Sequence, residues 1–214
     1  MPVASAADVA AQASRTVREL RWADERDVAA MLARAFVDDP LVMAICEGTA
    51  AQRLERMRWS FRVALRSHCL AAQPGWTVTD ATAGAFGAVL VTDPRARTRA
   101  AASDFWFAAR GALHVGLRAT LRGVRAAQLI GAQAPAPPFT YLRTLGVDPA
   151  AQGHGVGSQL VDHVVRTAAA DWPIYLETAK RRNLPFYARH GFSCIGEFRC
   201  LGVPVWRLLR TAAG

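Results

Sequence analysis

The sequence predicts an α+β (mixed α/β) protein in which helices cover both faces of one central sheet that is mixed but mostly antiparallel. Residues 139–178 have the pattern strand, helix, strand, which is typical of a parallel crossover unit. Residues 76–92 and 192–209 each contain two apolar runs around a short turn, as antiparallel hairpins do. A chain of 214 residues that is 52% hydrophobic can also bury a core without a metal or a disulfide.

The first elements are a strand followed by helices. Alternation over residues 17–22 predicts a half-buried strand, and Asp24 is placed to cap the helix that follows. Asp39 and Pro40 end that helix and open another. The next helix is amphipathic, because its apolar side chains recur every three or four residues: Leu54, Met57, Phe61, Leu65 and His68.

A helical insertion at about residues 98–134 separates the two halves of the predicted sheet. Apolar residues recur at four-residue spacing, Gly111 or Gly116 is placed to interrupt the helix, and prolines end it. We expect residues 1–15 to be a flexible leader and residues 16–214 to form a single domain. The later elements are predicted as strand 139–147, helix 156–170, strand 174–178, helix 184–190 and strands 192–199 and 203–209.

Composition narrows the classes of function. The net charge of +9 comes almost entirely from scattered arginines, which favours a solvated surface over a nucleic-acid-binding face. No apolar run approaches the roughly 18 residues of a membrane-spanning helix, and no secretory signal pattern is present, so we expect a cytoplasmic protein. The four cysteines form no CxxC pattern, so neither a metal site nor a disulfide is expected.

The most informative segment is the glycine-rich stretch over residues 145–158. A strand ends at Asp148, a short turn follows, and a helix begins inside the turn, which is an arrangement that binds phosphate through backbone N–H groups and the helix dipole. No lysine follows the glycines, so this is not a P-loop. The even spacing of Gly153, Gly155 and Gly157 also misses the dinucleotide fingerprint. Glu177 lies where a ribose-binding acid would, so a dinucleotide-binding protein remains an alternative.

Two motifs resemble those of a known family. Gln152-x-x-Gly155-x-Gly157, after Val147-Asp148-Pro149, is similar to the pyrophosphate-binding motif of the GNAT superfamily of N-acetyltransferases, which use acetyl-CoA. Residues 176–178 and 182–192 resemble the later motif of that family, and with the Asp38-Asp39-Pro40 region they resemble its puromycin N-acetyltransferase branch. The resemblance covers about residues 139–192 and implies a splayed pair of parallel strands.

The resemblance also implies roles for individual residues. The main chain of Leu145, Gly146 and Val147 would pair with the pantetheine arm of acetyl-CoA, and the Leu145 N–H would polarise the thioester carbonyl. Asn183 would bond the same arm or cap a helix, and Tyr187 would protonate the departing thiolate. The pyrophosphate would lie against the turn and the helix start: Gln152, Gly153, His154, Gly155, Val156, Gly157 and Ser158.

The general base remains open. The amine must lose a proton before it attacks, and the candidates are Glu177, Asp38, Asp39 and His114. Arg143 lies two residues before Leu145, so strict alternation places it on the same strand face, where it would pair with Glu177 or bind an anionic substrate group.

The sequence therefore predicts an acyltransferase that moves an acetyl group from acetyl-CoA to a primary amine of a small molecule, such as an aminated antibiotic or a metabolite, by direct attack. Acetylation of a protein N-terminus or lysine is the alternative within the same class. We expect a monomer or a homodimer. Five residues of the predicted helices would line an aromatic substrate pocket or pack between the helices: Trp59, Phe61, Phe105, Trp106 and His114.

Overall fold

The computed structural model describes residues 15–80, 84–93 and 111–212. Its strands are β1 (Thr16–Glu19), β2 (Gly75–Asp80), β3 (Gly84–Thr92), β4 (Thr140–Val147), β5 (Ile174–Thr178), β6 (Ser193–Cys200) and β7 (Val203–Arg210). The described strands form one seven-stranded sheet in the order β1-β2-β3-β4-β5-β7-β6. Only the β4–β5 pair in this sheet is parallel, which confirms the predicted mixed, mostly antiparallel sheet.

Helices cover both faces of this sheet, as predicted. On one face, Leu32 packs with Leu65 and with Leu90 of β3. On the other face, Leu160 packs with Val89, the neighbour of Leu90 on β3. The side chains of successive β3 residues therefore pack into cores on opposite faces of the sheet, as the alternation of side chains along a strand requires. The α-helices that begin and end within the described residues are α1 (Glu25–Phe36), α2 (Pro40–Ile45), α3 (Ala50–Leu70), α4 (Leu117–Gly131), α5 (Val156–Thr167) and α6 (Leu184–Arg189).

The helical insertion is described only in part. Residues 111–114 are helical, and Gly116, with a φ of +93°, separates them from α4. This confirms an interruption at the second of the two predicted glycines, because a positive φ favours a residue without a Cβ. Ala126 of α4 packs with Val205 of β7. The predicted leader and the first part of the insertion lie outside the described residues.

Two predicted helix caps have different outcomes. Asp39 caps α2 as expected, since its carboxylate accepts a hydrogen bond from the Leu41 N–H at 3.0 Å. Asp24 stands at the N-cap position of α1, but its side chain makes no capping bond there. It binds the Arg18 guanidinium at 2.7 Å and the Arg21 N–H at 2.7 Å instead. The expected Asp24 cap is therefore wrong, because a charged partner from β1 takes the carboxylate.

The parallel pair opens into a gap. β4 and β5 are in register only at Thr140 with Ile174 and at Tyr141 with Tyr175, although both strands continue beyond these pairs. The remaining length of β4 therefore has no ladder partner on its β5 side among the described residues. This is the splay that the resemblance implies.

An irregularity in β4 decides which main-chain groups face the gap. The Thr140 N–H points towards β5, since it donates to the Pro173 carbonyl at 2.9 Å, whereas the Asp148 N–H donates to Phe86 at 2.8 Å on the β3 side. Both residue numbers are even, so a regular strand would point both groups the same way. The register with β3 shifts between Leu90 and Val91, which inserts one extra residue in β4. Counting back from Asp148, the main-chain groups of Val147 and Leu145 face the gap.

The same bulge corrects one sequence-based expectation. Leu142 lies in the core on the α5 side of the sheet and Leu145 packs against that core, although they are three residues apart. Strict alternation would put them on opposite faces. Arg143 lies on the other face, towards α1 and α3, where its charge adds to burial in lowering the pKa of His68 on α3. The expectation that Arg143 shares a face with Leu145 is therefore wrong.

The described residues contain no group of three or more side chains placed to hold a metal ion. All four cysteines are free. Among the helices of the described ranges, none combines the length and apolar character needed to cross a membrane.

Candidate active site

A cavity of about 620 Å³ opens at the gap between β4 and β5. Its walls include the ends of both strands, the start of α5, helix α6 and part of α1. The exposed His154 lies in the turn but not in the cavity wall. The structure brings the other predicted site residues together in that wall: Leu145, Gly146, Val147, Gln152, Gly153, Gly155, Val156, Gly157, Ser158, Glu177, Asn183 and Tyr187.

The glycine-rich turn is held open by its backbone. Gly153 and Gly155 have φ values of +82° and +78°, which residues with a side chain rarely adopt. Gly155 is the N-cap of α5 and supplies no side chain to bind the first N–H groups of the helix. Asp148 fixes the entry to the turn, since it accepts a hydrogen bond from the Ala150 N–H at 3.0 Å. Free N–H groups at a helix start without a capping side chain fit a pyrophosphate.

Polar side chains hold the turn and the helix start in place. The Gln152 amide donates to the Val147 carbonyl at 3.2 Å, which ties the turn to the end of β4. Ser158 Oγ lies 3.3 Å from His190 Nε2, and His190 Nδ1 lies 2.8 Å from Asp162. His154 Nδ1 lies 3.0 Å from the Gln152 carbonyl. Contacts of these side chains with a phosphate remain predictions.

Asn183 precedes α6 but does not cap it through its side chain. Its position is the N-cap, yet the amide makes no capping bond. The amide nitrogen instead donates to Thr178 Oγ1 at 3.0 Å, which links the start of α6 to the end of β5. Asn183 is part of the cavity wall. The contact of its side chain with the pantetheine arm of acetyl-CoA remains a prediction.

Tyr187 is buried in an aromatic cluster beside the cavity. Its side chain is 6% exposed, and its ring meets Phe186 and Phe192 edge-on at centroid distances of 5.0 and 5.7 Å. Burial raises the pKa of the hydroxyl above its ordinary value, since the charged form would be poorly solvated. The phenol is therefore protonated at neutral pH, which a proton donor requires.

Glu177 is the best placed of the predicted base candidates. It lies on β5, and its Oε2 accepts a hydrogen bond from the Tyr141 hydroxyl at 2.8 Å. Its Oε1 is buried and has no hydrogen-bond partner among the described residues. Burial raises the pKa of the carboxyl, and the nearby hydroxyls of Tyr141 and Tyr175 and the main chain of Glu177 itself oppose that rise. Of these two hydroxyls, only that of Tyr141 makes a hydrogen bond of ordinary geometry to the carboxylate. A carboxylate in the cavity wall is suited to bind an ammonium group or to take a proton from it.

The other base candidates are placed differently. Asp39 lines the cavity, and burial raises its pKa while the charge of Lys180 opposes the rise. Its carboxylate is already engaged as the cap of α2. Asp38 has a side chain that is 79% exposed and lies 3.9 Å from Arg53. His114 stacks on Trp59 with a centroid distance of 4.7 Å and is not part of the cavity wall.

The predicted aromatic pocket is not formed by the residues that are described. Phe61 packs in the core against Phe36, with ring centroids 5.5 Å apart. Trp59 pairs with His114, so packing between helices describes both better than contact with a substrate. The other two aromatic candidates, Phe105 and Trp106, lie outside the described residues.

Several residues of the cavity wall were not predicted as site residues from the sequence. Tyr141 is one, because its role depends on the carboxylate of Glu177 on the next strand. Lys180, Arg182 and Arg189 also line the cavity. Their positions near the Asn183 motif could have drawn attention to them, but a basic residue on a short helix is usually solvated.

A model of the acetyltransferase (GNAT) domain family matches residues 101–194 of this chain. That range holds the glycine-rich turn, the splayed strands and Tyr187. The chain carries a GNAT acetyltransferase domain. The match indicates an acetyl-CoA-dependent acyltransferase and agrees with the family resemblance of the sequence motifs.

Solved structures of low sequence identity share the fold of the acetyltransferase. An acetyltransferase from Corynebacterium glutamicum, described as histone acetyltransferase HPA2 and related acetyltransferase, is 23% identical with a TM-score of 0.68, covering 94% of this chain and 98% of its own. Ard1 from Thermoplasma volcanium is 14% identical with a TM-score of 0.55, over 94% and 99% of the two chains. A phosphinothricin acetyltransferase from Sinorhizobium meliloti, solved with AcCoA, is 12% identical with a TM-score of 0.52, over 94% and 89%.

Proposed function

We propose that the protein transfers the acetyl group of acetyl-CoA to a primary amine of a small molecule by direct attack. The observation that carries the proposal is the Glu177 carboxylate in the wall of the cavity, with one oxygen held by Tyr141 and the other buried without a partner among the described residues. A carboxylate in a cavity wall that is not fully paired can accept further hydrogen bonds from a ligand. A primary ammonium group supplies both the charge and the donors that it lacks.

Each step of the reaction has a candidate group on this chain. Acetyl-CoA supplies a thioester whose C–S bond is replaced by a C–N bond to the amine. Glu177 takes the proton that the ammonium must lose before the nitrogen attacks. The Leu145 N–H, turned towards the gap by the bulge, stabilises the negative charge that develops on the carbonyl oxygen. Tyr187 gives its proton to the departing sulfur, and the products are the N-acetylated amine and CoA.

The shape of the site supports a small acceptor. The Glu177 carboxylate lies within a cavity of about 620 Å³, a volume in the range of small-molecule sites. Asp39 and Phe36 contribute to the same wall from the helices that cover the sheet. A protein chain would need an open groove instead. The puromycin branch and the cytoplasmic location remain predictions from the sequence.

The test is acetyl transfer to a panel of primary amines, including puromycin, other aminated antibiotics and amino acids, followed by release of the CoA thiol. We expect at least one small amine to be acetylated, and Glu177→Gln to lower kcat/KM for it by about 10²–10⁴-fold. Glu197→Gln, which changes an exposed carboxylate on β6, is the matched control and should match the wild type. Acetylation of peptides but of no small amine would favour the protein acetyltransferase alternative and would contradict the proposal.

A further inference from the structure

Arg143 is a charged side chain of the cavity that the proposed reaction does not use. It is exposed, lines the cavity, and forms no ion pair with any residue that the structure describes. Because of the bulge in β4, Arg143 lies on the face of the sheet that α1 and α3 cover. The glycine-rich turn leads into α5, which covers the opposite face. Arg143 is therefore not positioned to bind the pyrophosphate of the cosubstrate.

The other cations of the cavity have different surroundings. Lys180 and Arg182 lie close enough to Asp39 for their charges to oppose the rise in its pKa that burial causes. Arg189 belongs to α6, whose Phe186 approaches the start of α5 at Gly157. Only Arg143, of the four cations in the described cavity wall, lies on β4, two residues after Tyr141, whose hydroxyl binds Glu177.

Arg143 and Glu177 share the cavity without pairing with each other. The Glu177 carboxylate binds the uncharged Tyr141 hydroxyl at 2.8 Å instead of the guanidinium. The charge of Arg143 does reach this pair: burial raises the pKa of the Tyr141 hydroxyl, and Arg143 opposes that rise. The cavity thus presents a carboxylate oxygen and a guanidinium on the same side, each able to bind a group of opposite charge.

We propose that the acceptor is a small zwitterion, with its primary amine bound at Glu177 and a carboxylate or another oxyacid group bound at Arg143. This inference rests on the proposed function and names the substrate class of the same site. A guanidinium binds a planar carboxylate through two parallel hydrogen bonds, so Arg143 selects for the anionic group and also fixes the orientation of the amine. The amine nitrogen is then held towards the gap, where the thioester would lie.

The experiment compares matched acceptors that differ only in the anionic group. Amino acids are paired with their amides, and aminoalkylphosphonates with the corresponding amino alcohols, and kcat/KM is measured for each. We expect the wild type to prefer the acidic member of the best pair by about 10- to 100-fold. The amides carry less basic amines, but this difference belongs to the substrate and cancels when the same pair is compared between enzyme variants.

Arg143→Met should lower the ratio of kcat/KM for acid over amide by about 10- to 100-fold relative to the wild type, and Arg143→Lys should lower it less because the charge remains. Arg26→Met, which removes an exposed arginine of α1, is the matched control and should keep the wild-type ratio. Preference for the uncharged members, or a ratio that Arg143→Met leaves unchanged, would overturn the inference while leaving the proposed function in place. Failure to acetylate any amine in the presence of acetyl-CoA would overturn the proposed function, and the inference would fall with it.

Discussion

Tyr187 combines two properties that a proton donor to a thiolate needs. Its hydroxyl belongs to a residue of the cavity wall, and burial raises its pKa, so the hydroxyl keeps its proton at neutral pH. Burial also disfavours a free thiolate in the cavity, so the departing sulfur takes the proton as negative charge develops on it in the transition state. Its edge-on contacts with Phe186 and Phe192 keep the ring in place.

We expect Tyr187→Phe to lower kcat by about 10²–10⁴-fold, because the hydroxyl is lost while the packing of the ring is kept. The dissociation constant of acetyl-CoA should change far less, since proton donation develops only in the transition state. Steady-state kinetics and calorimetric titration measure the two quantities. A variant that turns over at the wild-type rate, with chemistry shown to be rate-limiting, would leave Tyr187 without this role.

The contact between Tyr141 and Glu177 makes a prediction about pH. Glu177 must be ionised to accept a proton, so the rate falls as the pH drops through its pKa. The Tyr141 hydrogen bond favours the ionised form and thus holds the pKa below the value that burial alone would give. Tyr141→Phe removes this bond, so the pKa should rise and the acidic limb of the kcat/KM profile should move to higher pH.

The profile is measured on an acceptor whose own amine titrates outside that range, and Glu177→Gln should abolish the limb. An acidic limb that stays at the same pH in Tyr141→Phe would mean that another group titrates there. Asp39 is then the next candidate, since it also lines the cavity with a raised pKa.

At the scale of elements, the site depends on how β4 gives way to α5. The bulge in β4 turns the main chain of Leu145 and Val147 towards the gap, and two glycines of positive φ then fold the chain into the start of α5. The N–H groups of the turn and those of the strand therefore face the same cavity. One continuous segment supplies both the candidate pyrophosphate site and the candidate oxyanion donor.

Gly155→Asp and Gly155→Asn form a matched pair for this segment. Both residues tolerate a left-handed backbone better than other side chains do, and they have nearly the same shape. Only aspartate adds a negative charge beside the expected pyrophosphate. We expect both variants to weaken acetyl-CoA binding, and the aspartate variant to do so at least 10-fold more, as measured by calorimetric titration with circular dichroism as the check of folding. Equal affinities for the two folded variants would contradict a phosphate site at this turn.

Local sequence patterns were enough to predict most of these elements. The spacing of Val156, Leu160 and Val164 predicted α5, and the three side chains are buried on one face of the sheet. The strand predicted over residues 174–178 has the bounds of β5. Periodicity works here because each apolar face is buried against a regular partner.

Features that depend on contacts between distant residues were not predictable in the same way. The bulge in β4 comes from its register with β3, and nothing in the local sequence around Arg143 marks it. Asp24 has the residue type and the position of a helix cap, but the Arg18 guanidinium competes for its carboxylate. Tyr141 gained its role only when the sheet brought β4 beside β5. The motif residues of the site could be named from the sequence, whereas the side chains that tune them could not.

At the scale of the whole molecule, two hydrophobic cores lie on opposite faces of the sheet that contains the gap. The first core packs α1 and α3 against β3, and the second packs α5 against β3 and its neighbours. Gly146 shows how closely the first core approaches the site, since a Cβ at this position would lie 2.4 Å from Leu32 and 3.1 Å from Phe36. The elements that we propose to bind the cosubstrate are therefore part of the folded core, so ligand binding should raise the stability of the whole fold.

Thermal unfolding with and without acetyl-CoA tests the central claim most directly. A ligand that binds only the folded state, at 100 times its dissociation constant, adds about 2.7 kcal/mol to the free energy of unfolding. For a protein of this size that corresponds to a rise in Tm of about 5–10 °C. We predict this rise with acetyl-CoA and none with NADH or ATP. A clear rise with NADH, together with no change in Tm with either acetyl-CoA or CoA, would contradict the account.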